Sequence, residues 1–73
     1  MLMENFIVQI WKLEEQTKQH NPDFIFKNII ANSPERALRK VLMDNNIMER
    51  IYAEVIWNEG LNRQKFEDYE LRI

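Results

Sequence analysis

The sequence predicts an all-α fold: a small four-helix bundle or orthogonal helical array, followed by an extended or weakly ordered C-terminal tail. Three observations predict it. One glycine and two prolines are the only strong breakers in 73 residues, and so few favour helices over a multi-strand sheet. Apolar residues recur at three- and four-residue spacing over much of the chain. Asn21-Pro22 and Ser33-Pro34 each place a capping side chain before a proline, a common helix start.

The first helix is expected over residues 4–20. Leu2, Phe6, Ile10, Leu13 and Thr17 form one ridge, and Met3, Ile7 and Trp11 form its neighbour. The segment Phe6-Ile7-Val8-Gln9-Ile10-Trp11 is also rich in β-formers and supports a competing strand. The polar run from Leu13 to His20, which follows without a turn signal, decides for the helix. A second helix from Pro22 to about Ala31 turns Ile25, Phe26, Ile29 and Ile30 inward. A third, over about 34–44 with Ser33 as cap, buries Ala37, Leu38, Val41 and Leu42 and presents Arg36, Arg39 and Lys40 outward.

Asp44-Asn45-Asn46 is read as a break rather than the middle of one long helix. Asn46 supplies a cap and Glu49 the partner of a capping box. The fourth helix then carries Ile47, Met48, Ile51, Tyr52, Val55 and Ile56 on one face and ends at Gly60. In the tail, Arg63 and Lys65 would stand at the positive end of a fifth helix and Glu67, Asp68 and Glu70 at its negative end. That order opposes the helix dipole. Tyr69-Glu70-Leu71-Arg72-Ile73 alternates as a strand does. The expected division is a helical domain over 1–60 and a tail or short fifth element over 61–73. The expected core is Phe6, Ile10, Leu13, Ile25, Ile29, Leu38, Val41, Leu42, Ile51, Tyr52, Val55 and Ile56.

Composition narrows the functional classes. With 45% hydrophobic and 11% aromatic residues, the chain can fold rather than stay disordered. It contains no cysteine, which removes disulfides and thiolate metal sites and suits a reducing compartment. The formal charge of −2 leans against nucleic acid. No apolar run reaches the roughly 18 residues of a membrane span. Met1-Leu2-Met3-Glu4 lacks the features of a signal peptide, so the expected location is cytoplasmic.

No constellation carries chemistry. His20 is the single histidine. It has no convergent ligands, and a place near a helix C-terminus accounts for it. Asp44-Asn45-Asn46-Ile47-Met48-Glu49 lacks the glycine and the distant glutamate of a calcium loop. No Ser/His/Asp, glycine-rich or phosphate-cradling pattern is present. The expectation is therefore no enzyme, no cofactor, no metal, no small-molecule substrate and no membrane partner.

Two binding surfaces compete. Val8, Phe24 and Trp57 fall off the apolar stripes, and such residues concentrate at protein interfaces. Trp57 fits core packing equally well. Arg50, Trp57, Phe66, Tyr69 and Leu71 are the candidate protein-binding residues. They would serve a small regulator or inhibitor that docks on a larger protein or forms a homodimer. The asparagine- and isoleucine-rich composition suits a phage or mobile-element product. The alternative is a helix-turn-helix regulator built from the second and third helices, with Ser33, Arg36, Arg39 and Lys40 facing DNA. Its basic ridge is also what any solvent-facing helix carries, and Glu35 opposes phosphate. A subunit of an enzyme complex, without chemistry of its own, is a third reading.

Overall fold

A computed structural model of the chain describes residues 3–13 and 21–71. It overturns the all-α expectation. The elements in order are strand β1 (Glu4–Lys12), strand β2 (Phe24–Ala31), helix α1 (Pro34–Asp44), strand β3 (Ile51–Trp57) and strand β4 (Asn62–Tyr69). The strands form one four-stranded sheet of order β2-β1-β3-β4. Each neighbouring pair is antiparallel. β1 therefore lies between β2 and β3, which run parallel to each other and are joined through α1.

The β-former content of Phe6 to Trp11 outweighs the helical spacing there. Phe6, Val8 and Ile10 point to one face and are fully buried, while the intervening positions are less so. The segment expected as the second helix is β2, so the Asn21-Pro22 signal starts no helix. Asp23 instead ties β2 to β1: its side chain accepts from the Lys12 amide at 2.8 Å, and its own amide donates to the Ile10 carbonyl at 2.8 Å. The segment expected as the fourth helix is β3, whose β-branched and aromatic residues suit a central strand. Gly60, expected to end that helix, sits at φ 87° in the turn between β3 and β4. There Gly60 N donates to Trp57 O, and Leu61 N donates to Asn58 O. Residues 62–69, placed in the tail by sequence, pair with β3 as the fourth strand.

The helix at 34–44 forms over the range its local signals mark. The Ser33 hydroxyl accepts from the Arg36 amide at 3.2 Å, Pro34 opens the first turn and Glu35 favours its positive end. Substituting Ser33→Ala should cost about 1 kcal/mol, measured as a shift of the urea midpoint with unchanged slope. At the other end, Asn45 caps by donating from its side chain to the Val41 carbonyl at 2.9 Å. Asn46 takes φ 55°. The break is where the sequence puts it, but a strand follows rather than a helix.

The core is the space between α1 and one face of the sheet. Ala37, Leu38, Val41 and Leu42 from the helix meet Phe6, Val8, Ile10, Ala31, Ile51, Ala53 and Val55 from the strands, with Leu71 closing one side. The shortest dimension of 16 Å is that of one sheet carrying one helix layer. Of the expected core, Leu13, Ile29 and Ile56 are only partly buried, and Ile25 is 49% exposed. Ile29 still packs against the core from β2, whereas Ile25 and Ile56 lie on the other face and read as core only on helical geometry. Tyr52 is buried, but on the opposite face of the sheet.

Both outer strands carry a bulge. In β2, Lys27 and Asn28 together oppose Ile7 of β1, and Asn28 adopts φ 61°. In β4, Glu67 and Asp68 oppose Tyr52, and Asp68 adopts φ 57°. Asn5 donates to the Asn28 side-chain oxygen at 3.3 Å, which steadies the first bulge. Arg50 grips the second through two hydrogen bonds to the Asp68 carboxylate, one of them 2.6 Å from Nε.

Candidate interaction surface

The sheet face turned away from α1 is left without a covering layer by this architecture. Strand alternation puts Ile7, Gln9 and Trp11 of β1 on it, beside Tyr52, Glu54 and Ile56 of β3. β2 adds Ile25, Lys27 and Ile30, and β4 adds Arg63, Lys65 and Glu67. Among the described residues no helix or strand packs over this face. A broken apolar strip runs along its centre, the pairs Ile7–Ile56 and Trp11–Tyr52 separated by the polar pair Gln9–Glu54, with charged side chains beyond it on β4.

The aromatic end of the strip is buried, with Trp11 8% and Tyr52 5% exposed. Trp11 and Tyr52 are directly opposite one another, with ring centroids 5.2 Å apart and planes tilted by 54°. The Tyr52 hydroxyl donates to Glu54 at 2.9 Å, and Glu54 accepts from Arg63 at 2.9 Å. Burial and the Glu54 bond push the Tyr52 phenol from its ordinary 10.0 up to about 12. The neutral phenol is therefore favoured by the folded state. Its contribution to stability is complete below pH 10 and is lost as pH rises towards 12. Alkaline unfolding should track phenolate absorbance in this window, and Tyr52→Phe should flatten the part due to this residue.

At the far end of the strip, Asn5, Ile7, Lys27, Asn28, Ile56, Trp57, Glu59 and Gly60 line an open cleft of about 460 Å³. Its floor is apolar, while Lys27 and Glu59 bring opposite charges. Nothing in it resembles a nucleophile with its base, and among the described residues no three His, Asp or Glu groups gather as metal ligands.

The residues expected to bind protein do not form one surface. Phe66 and Tyr69 lie on the α1 side of β4 and pack edge to face at 5.6 Å. The Tyr69 hydroxyl donates to Glu35 at 3.2 Å and so fastens β4 to the helix. Burial raises the Tyr69 phenol, against a lowering hydrogen bond from Arg39. Trp57 also leans to the core side, its ring 5.5 Å from Phe6. Leu71 is 4% exposed and belongs to the core. Arg50 is exposed, with its guanidinium engaged by Asp68. Of the five, Tyr69 ties β4 to α1, Phe66 and Trp57 pack against the core, Leu71 belongs to it, and Arg50 holds the β4 bulge.

Ser33, Arg36, Arg39 and Lys40 do share one surface, the outer side of α1, but Glu35 and Asp44 stand among them. The helix-turn-helix that was to present them is absent, because residues 24–31 form a strand. His20 lies outside the described residues. The sequence reading missed Ile7, Ile25, Ile30 and Ile56 as surface residues. The signal for them was the alternation in Phe6 to Ile10, which puts every second residue on one side.

No helix of the described chain is long and apolar enough to cross a membrane. Compared with models of protein families, curated proteins and solved structures, the chain matches none.

Proposed function

We propose that this protein is a non-enzymatic binding module, a regulator or inhibitor that docks on a larger protein through the helix-free face of its sheet. The observation that supports the reading is the set of isoleucines this face leaves open to solvent: Ile25 and Ile30, 49% and 45% exposed on β2, beside half-buried Ile7 and Ile56 on the two central strands. Aliphatic side chains on a rigid, regularly spaced surface suit the centre of an interface, and Arg63 and Lys65 on β4 resemble its polar rim. Placing the anchors on strands fixes their spacing before binding, which limits the entropy lost on association. A cytoplasmic location belongs to the same reading and rests on the absence of cysteine.

The test is affinity capture from the native host with the wild-type chain and with Ile7→Lys and Ile56→Lys, each first shown by circular dichroism to keep its sheet. Both substitutions should weaken recovery of a specific partner by about tenfold or more. Undiminished recovery by folded variants, with loss on Arg36→Glu and Arg39→Glu instead, would move the binding surface to α1.

A further inference from the structure

We infer that a second copy of this chain pairs with the free edge of β2, joining two sheets into one across a two-fold axis. The sheet has two edges, and they differ in kind. The β4 edge carries Arg63, Lys65, Glu67 and Asp68, charges of the sort that prevent strand addition. The β2 edge reads Phe-Ile-Phe-Lys-Asn-Ile-Ile-Ala, with one charge in eight residues. Phe24, Ile25 and Ile30 are 38%, 49% and 45% exposed there. An apolar, exposed edge of this length is a template for another strand.

The identity of that strand follows from the bulge. In an antiparallel pair, residues directly opposite must share a face. Phe6 and Val8, two apart on β1, face Ile29 and Phe26, which are three apart on β2. The extra residue at Lys27-Asn28 thus reverses the alternation midway along the strand. As a result β2 matches itself when turned through a two-fold axis at its centre. Phe24 of one copy lies opposite Ala31 of the other, and Phe26 opposite Ile29, all on the α1 side. Ile25 lies opposite Ile30 on the other face, and Lys27 opposite Asn28 at the axis. Every apolar residue meets an apolar one, and the polar pair falls at the kink, where the ladder is weakest. A register centred on Lys27 would set two ammonium groups together and pair Ile25 with Ile29 across opposite faces. The self-complementary register is isologous, as a closed dimer requires.

An edge of eight residues makes a small interface, so the dimer should dissociate in the micromolar range. Sedimentation equilibrium should show a species of twice the 9.0 kDa chain mass as concentration rises through roughly 1–100 μM. Ile25→Lys alone and Ile30→Glu alone should each weaken it at least about tenfold. The double variant Ile25→Lys/Ile30→Glu should recover it, because the register sets the two introduced charges against each other twice. In the native chain, amide exchange over 24–31 should slow with concentration while that over 62–69 does not. A native chain that stays monomeric, single variants that dimerise normally, or a double variant that is not rescued would each overturn the proposal.

Discussion

Replacing Phe6 by alanine is expected to leave the protein mostly unfolded at room temperature. Phe6 is fully buried on a central strand, faces α1 and packs its ring against Trp57. Truncating a buried Phe costs about 3–5 kcal/mol through lost burial and the cavity left behind. A domain of this size holds only about 4–10 kcal/mol in total. Urea denaturation followed by circular dichroism measures the difference directly. A loss below about 1 kcal/mol would mean that Phe6 does not sit beneath the helix. Ile25→Ala provides the contrast: buried in a helical bundle, it would be costly, whereas on an exposed strand face it should stay within about 1 kcal/mol.

Leu38→Ala should be nearly as damaging, at about 2–5 kcal/mol. The fold has one covering layer, and Leu38 with Ala37, Val41 and Leu42 forms the whole buried side of α1. No second helix among the described residues can take up the slack. Met43→Ala, on the exposed side of the same helix, should change stability by no more than about 0.5 kcal/mol. The pair of variants separates packing from helix propensity, since alanine favours the helix at both positions.

The difference between the helical expectation and the sheet has a physical origin in particular residues. α1 was legible because its signals are local: Ser33, Pro34 and four apolar residues at helical spacing. The strands were not, because β1 and β3 are central and carry apolar side chains on both faces. Phe6, Ile7, Val8, Ile10 and Trp11 satisfy a period of two and a spacing of three and four at once. The scarcity of glycine misled for another reason. Asn28, Asn46, Asn58, Glu59 and Asp68 all adopt positive φ. Asparagine and aspartate tolerate that region better than other residues with a side chain, so they supply turns and bulges that glycine usually marks. The asparagine-rich composition was thus a sign of turns. The protein-binding candidates were aromatic in the right measure, but the sheet turned Trp57, Phe66 and Tyr69 toward the helix and left isoleucines outside.

The strand order carries a consequence for how the chain is made. β1 leaves the ribosome early but needs β3 as its second neighbour, and α1 lies between them in sequence. Phe6, Val8 and Ile10 stay uncovered until α1 emerges and docks, and the β1–β2 pair keeps two open edges until β3 emerges. Such non-local closure is slow compared with helix formation. The nascent hairpin is therefore the stage most exposed to mispairing, and chaperone binding is expected there if synthesis pauses between α1 and β3. A ribosome stalled with α1 outside the exit tunnel and β3 still inside it should hold a chain that proteases cut readily, and one stalled after β4 has cleared the tunnel should hold a resistant one.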